Sequence, residues 1–262
     1  MHVLAISFLA LYLAHLVTDF VLQSDRVVIG KRRGSVLPYL EHGGIHFLAT
    51  VLFLGFAVPG LWREFGFYGL LVSLTLVHLG IDWTKVRLVS SNKIGDGAAS
   101  FFGDQVVHFI TVAITAWFIA RPSTASVVAK FHGFRSEIEK PLLLLVVYVG
   151  VIFGGGYLVR FVTKPLLKSI LEVIGESTNE LQNAGMYIGW LERFVVLTSL
   201  VLQSPATVGL VLTAKAIARY PELKSVRFAE YFLIGTLLSV TLGILGGLVL
   251  LKAFYGTVTL GK

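Results

Sequence analysis

The sequence predicts an all-α, polytopic membrane bundle of about eight transmembrane helices, the first four forming a four-helix bundle around a metal site. Three observations lead there. Hydrophobic residues make up 55% of the 262 residues and charged residues only 14%, against about 25% charged in an ordinary soluble domain. Apolar runs recur at close to the roughly 20 residues that a helix needs to cross hydrocarbon. Each of the first four runs carries one His/Asp-type pair spaced i, i+4. The low charge excludes a disordered chain and argues against a water-soluble enzyme of this size. There is no Cys, so disulfides and thiolate metal sites are excluded.

The apolar segments are 2–22, 38–60, 66–86, 99–120, 141–163, 185–203, 205–219 and 229–254. The first lacks the basic start of a signal peptide and runs on into His15, Asp19 and Gln23. The fifth and eighth are almost free of charge. The sixth and seventh are divided by Ser204-Pro205, and Pro opens a helix well at its first position. The seventh is short for a full crossing. In domain terms, 1–120 is the metal-site bundle, 121–140 an extracytoplasmic loop, and 141–262 the C-terminal transmembrane helices. Within the last, 166–183 reads as an amphipathic helix on the cytoplasmic surface, with Leu166, Ile170, Leu171, Ile174 and Leu181 between Glu172, Glu176 and Glu180.

The net charge of +7 reports topology in a membrane chain, and no nucleic-acid partner is expected. Fourteen of the 22 Lys and Arg fall on the side of connections 23–37, 87–98, 164–184 and 220–228, and seven on the other. The positive-inside rule puts the first set in the cytoplasm. The expectation is a multi-pass protein of the bacterial cytoplasmic (inner) membrane with both termini outside the cytoplasm.

The chemistry sits in His15/Asp19, His42/His46, His78/Asp82 and Asp104/His108. Residues four apart share a helix face one turn apart, so each pair can converge on one ion, as in helical zinc motifs. Twelve scattered His and Asp would give about half such a pair by chance. The four pairs also share a depth. They lie near the ends of the odd spans and the starts of the even ones, so all face the cytoplasmic half, about 5–15 Å below the interface at 1.5 Å per residue.

The shallow layer reads Asp19, His42, Asp82 and Asp104, over a deep layer of His15, His46, His78 and His108. Eight ligands exceed one tetrahedral ion, so two divalent ions are expected. Zinc suits the set first, with iron or manganese as alternatives. Three carboxylates against two such ions leave one positive charge, which a bound hydroxide neutralises. Gln23 and Gln105 are candidates to orient ligands by hydrogen bonds. Glu41 and Lys85 are candidates for the catalytic acid. Arg26, Lys31, Arg32 and Arg33 form a basic cluster over the same mouth that could bind a substrate phosphate or headgroup. In the C-terminal half, Glu192, Arg193, Lys215, Arg219 and Glu230 read as ion pairs and packing groups, and FGGGY at 153–157 as a close helix contact.

AHLVTDFVLQSD at 14–25, HGGIH at 42–46, HLGID at 78–82 and DQVVH at 104–108 resemble a bacterial integral membrane family, domain of unknown function 3307. LQNAGMYIGWLER at 181–193, AKAIARY at 214–220 and AEYFLIGTLLS at 229–239 are similar to its C-terminal blocks. The HxxxD spacing is more remotely similar to that of membrane-bound metal-dependent hydrolases. The residues and the resemblance together lead us to expect a binuclear metal-dependent hydrolase acting on a lipid or lipid-linked phosphate or ester at the cytoplasmic leaflet. A divalent-cation transporter and a His-rich di-iron membrane oxidoreductase are the alternatives.

Overall fold

The computed structural model describes residues 2–63, 65–121, 137–174 and 179–256, with side chains for all of these except Trp62 and residues 168–174 and 179–184. Every regular element among them is helical. The chain divides into two compact units, Met1–Val146 and Val147–Lys262.

The first unit contains α1 (His2–Phe20), α2 (Asp25–Arg32), α3 (Leu37–Ala57), α4 (Phe65–Ser90) and α5 (Ala98–Ala120). Helix α1 packs on α3 and α5, and α4 packs on the same two, so the four long helices close into a ring. One end of its interior is an apolar plug: Leu11, Leu54, Leu71 and Ala116 are fully buried and pack with Phe67, Leu74 and Val112. The outer face is apolar as well. Leu48, Leu52, Phe56, Leu76, Phe109, Ile114 and Phe118 are all exposed. An apolar exterior around buried polar groups is the distribution a lipid solvent selects.

Helix α2 was not expected, since its eight residues fall inside a connection. Asp25 in its first turn and Lys31 and Arg32 in its last complement the helix dipole. Gly34, at φ +75°, takes the left-handed conformation that lets the chain turn back into Pro38, which opens α3. Helix α2 lies against α3 and α4, on the ring rather than free in solvent.

Helix α6 (Glu139–Val149) leads into the second unit, where a π-helical turn at Gly150–Gly154 continues as α7 (Gly155–Ile174). Helices α8 (Asn179–Val201), α9 (Ala206–Ala218) and α10 (Val226–Tyr255) follow. Helix α10 packs on α7 and α8. The close approach needs glycine, because a Cβ at Gly243 would lie 2.7 Å from Val196 Cγ1 and one at Gly247 2.6 Å from Leu200 Cδ1. The buried Arg193 donates from Nε and Nη2 to the Ile152 carbonyl at 3.1 and 2.9 Å, and from Nη1 to Ser239 Oγ at 3.0 Å. It thereby satisfies a carbonyl of the π turn, while Glu192 pairs with Lys215 at 2.7 Å. Gly155 and Gly156 make room for the Arg193 side chain, which is the close contact expected of FGGGY.

Among the described residues, six helices are long and apolar enough to cross a membrane: α1, α3, α4, α5, the helix from Glu139 to Leu167, and α10. Helix α9 has 13 residues and spans only about 20 Å, short of the roughly 30 Å of hydrocarbon. The pattern is compatible with a multi-pass membrane protein. Residues 122–136 of the expected outer loop lie outside the described residues. The expected helix over 166–183 is helical up to Ile174 and from Asn179 onward, and its apolar and acidic side chains from Ile170 onward lie outside them.

Candidate metal centre

The ring brings seven of the eight expected ligands into one cluster, with the eighth stacked on it. His15, His42, His46, His78 and His108 are at most 1% exposed, and Asp104 is buried as well. The pairs meet because each occupies the inward face of its own ring helix, one to two turns from the apolar plug.

Four side-chain atoms of ligand type define one tight set. Asp19 Oδ1 lies 3.3 Å from His42 Nε2 and 3.4 Å from His78 Nε2. Asp82 Oδ2 lies 3.4 Å from His42 Nε2 and 3.9 Å from His78 Nε2. The two imidazole nitrogens are 2.9 Å apart. Ligand atoms about 2.0–2.1 Å from a tetrahedral ion stand about 3.3–3.4 Å from one another, so the distances from Asp19 Oδ1 to the two imidazoles and from Asp82 Oδ2 to His42 suit a single divalent cation. Asp19 Oδ1 is buried and makes no hydrogen bond. An orphaned buried carboxylate oxygen facing two imidazoles is costly without a cation. The donor set therefore fits a metal ion.

The second set is looser and differently occupied. His108 Nε2 lies 3.5 Å from Asp82 Oδ1 and 3.6 Å from Asp104 Oδ1. His108 Nδ1, however, faces His78 Nδ1 at 3.1 Å. Two neutral imidazoles in that contact share one proton. If His78 donates it, His78 Nε2 is left as a lone pair toward the first set, and His108 carries its proton on Nε2, toward the two carboxylates.

Two lysines complete the cluster. Lys31, only 4% exposed, places Nζ 2.5 Å from Asp82 Oδ2, and Lys85 Nζ lies 2.9 Å from Asp104 Oδ2. Gln105 ties the ring together. It accepts from His15 Nε2 at 3.2 Å and donates to Asp104 Oδ2 at 3.1 Å. His15 Nδ1 is thus left as a lone pair, buried, unpaired and 3.8 Å from Asp19 Oδ2. The Gln23 amide nitrogen lies 3.5 Å from His42 Nδ1, where it donates to that ring nitrogen and orients the imidazole.

The other expected site residues fall differently. His46 is stacked flat on His78, with ring centroids 4.1 Å apart at 13°, and its Nδ1 meets Thr75 Oγ1 at 3.2 Å. It supports His78 and belongs to none of the three groups able to hold an ion: His15/His78/His108, Asp19/His42/His78 and Asp19/Asp82/His108. Glu41 has both oxygens engaged by Arg26, at 2.8 and 2.7 Å. Arg32 is paired with Asp96 at 2.9 Å, and Arg33 is exposed. Lys31, expected in the basic mouth, is inside the cluster. The sequence offered no signal for this, since its partner is 51 residues away.

Residues 7–134 match the family described as Protein of unknown function (DUF3307). The matched stretch contains the whole cluster, including Lys31, Lys85 and Gln105. The segments 181–193, 214–220 and 229–239, expected to be similar to the same family, lie beyond it. No curated protein and no solved structure matches the chain.

Proposed function

We propose that this protein is a metal-dependent hydrolase of the bacterial cytoplasmic membrane, acting on a lipid or lipid-linked phosphate or ester at the cytoplasmic leaflet. The observation that carries the reading is the set of unpaired acceptors gathered in the ring, above all Asp19 Oδ1 between His42 Nε2 and His78 Nε2. Asp19, His42, His78 and Asp82 would hold the ion. A divalent ion so held lowers the pKa of its water and polarises a phosphoryl or carbonyl oxygen.

The chain's own residues do the rest. Lys85 fixes the outer oxygen of Asp104 and so aims the inner one at His108, while Lys31 balances the charge of Asp82 on the same oxygen that faces His42 and His78. Gln105 sets the His15 tautomer and Gln23 orients the His42 ring. The apolar plug closes the ring beneath the cluster, which keeps water out from that side. Of the two sequence candidates for the acid, Lys85 lies inside the cluster, paired with Asp104, whereas Glu41 is paired with Arg26.

The expected pair of ions becomes one in this reading. Three carboxylates, two ammonium groups and one divalent ion leave a single positive charge, which a hydroxide neutralises, as a low-dielectric site requires. A second ion would leave three. The lysines supply the positive charge that a second ion would have brought, and a proton on His108 Nε2, which faces Asp82 and Asp104, would stand in the second ion's place.

Ion transport, the other use of such pairs, needs a path through the ring. Leu11, Leu54, Leu71 and Ala116, fully buried, fill the ring beneath the cluster, which favours the hydrolase reading. The test is hydrolysis of phosphorylated and ester lipids by the purified chain in nanodiscs, with chelation and readdition of zinc or manganese. The proposal expects turnover lost on chelation and restored by metal. Zinc or manganese uptake into proteoliposomes, with no lipid cleaved, would replace hydrolysis by transport.

A further inference from the structure

A cavity of about 490 Å³ opens against the same ring, walled by α2, the start of α3 and the last turns of α4. Three cationic side chains line it, Lys31, Arg32 and Arg87, and no carboxylate does. Lys31 and Arg32 are engaged by Asp82 and Asp96. Arg87 has no carboxylate partner among the described residues and lies over the Trp83 ring, 5.1 Å from its centroid. Tyr39 contributes a buried hydroxyl without a hydrogen-bond partner, and its ring lies 5.5 Å from Lys31 Nζ. Ser35 adds a second hydroxyl at the rim, and Leu79 and Val86 an apolar wall.

We propose that this cavity binds the phosphate of a phosphorylated lipid headgroup. The proposal rests on the hydrolase reading for its purpose and on the cavity for its chemistry. An unpaired guanidinium meets phosphate oxygens in a planar fork. The buried, unpaired Tyr39 hydroxyl is a donor in need of an acceptor, and a headgroup phosphate supplies it. Trp83 and Tyr39 are the residue types that settle at headgroup depth, and Arg87 sits one turn from the end of α4. The volume falls in the range of ligand pockets, about 300–1,000 Å³, enough for a headgroup while the acyl chains stay along Leu79 and the outer face. Lys31 links the two places, one side in the cavity wall and its ammonium on Asp82. A phosphate bound by Arg87 and Tyr39 is thereby held next to the metal ligands.

The test is native mass spectrometry of the full chain in detergent with added phosphatidic acid or phosphatidylcholine, metal content being read on the same samples. The expected result is phosphatidic acid bound at least about tenfold more tightly than phosphatidylcholine, a difference of about 1.4 kcal/mol. Arg87→Gln should abolish the preference and Tyr39→Phe reduce it, both with unchanged metal content. Inorganic phosphate should compete only weakly. Equal retention of the two lipids, or a preference untouched by Arg87→Gln, overturns the proposal. So does inorganic phosphate binding as tightly as the lipid, which would make the cavity a site for soluble phosphate. A chain that keeps its metal but shows no preference refutes the cavity alone. One that prefers phosphatidic acid but holds no metal refutes the hydrolase reading alone.

Discussion

Lys31 Nζ lies 2.5 Å from Asp82 Oδ2 in the buried interior of the ring, across 51 residues of sequence. The pair joins α2 to α4 and puts a positive charge on a carboxylate that also faces His42 and His78. Breaking a buried pair by removing one partner typically costs about 3–5 kcal/mol, because the other charge is left uncompensated. Lys31→Met should therefore lower the melting temperature of the chelated protein. Added zinc should recover part of the loss, since the ion then neutralises Asp82. Thermal unfolding with and without metal checks this, and an equal loss in both conditions would assign Lys31 a packing role only.

His42 and His46 occupy adjacent turns of α3 but serve differently. His42 Nε2 faces Asp19 and Asp82, whereas His46 stacks on His78 and bonds Thr75. His42→Ala should remove bound metal. His46→Ala should leave it in place and weaken affinity by about 10–100-fold, the range for residues that orient ligands. Competition with a colorimetric zinc chelator separates the two outcomes.

Asp19 and Asp104 make a second contrasting pair. Asp19 Oδ1 is the orphan at the centre of the tight set, while Asp104 is held by Lys85 and Gln105. Asp19→Asn should abolish metal binding. Asp104→Asn should retain one ion per chain, because its partners are Lys85 and His108 and it stands outside the tight set. Elemental analysis of the two variants gives the answer directly.

In the second unit, Gly247 allows α10 to approach α8. A Cβ there would lie 2.6 Å from Leu200 Cδ1 and 2.8 Å from Leu200 Cβ. Overpacking of this kind costs about 1–3 kcal/mol. Gly247→Ala should destabilise the chain by that amount, read as a lower unfolding midpoint, without changing the metal content of the first unit.

The all-helical fold and the gathering of the candidate site residues were legible in the sequence for a physical reason, whereas of the eight expected spans six are long and apolar enough among the described residues. Lipid forces each span to be long and apolar, so the few polar residues inside it stand out, and i, i+4 spacing at a common depth places them on facing inner surfaces. His15, Asp19, His42, His78, Asp82, Asp104 and His108 met as that logic requires. What the sequence hid was everything set by tertiary contact. Lys31 sits in a connection whose basic residues have an adequate explanation in topology. The rotation that turns His46 flat onto His78 is a matter of degrees about the α3 axis, finer than i, i+4 spacing resolves. The π turn at Gly150–Gly154, with Arg193 on its carbonyl, follows from packing of α8 against the chain before α7, which no local pattern in either segment encodes.

The central claim is a single divalent ion on Asp19, His42, His78 and Asp82, with Lys31 and Lys85 supplying the charge of a second. Metal content per chain of the purified full-length protein tests it most directly. The account predicts one tightly held ion, lost in Asp19→Asn and kept in Asp104→Asn. Two ions per chain, or fewer than about half an ion that neither substitution alters, would contradict it.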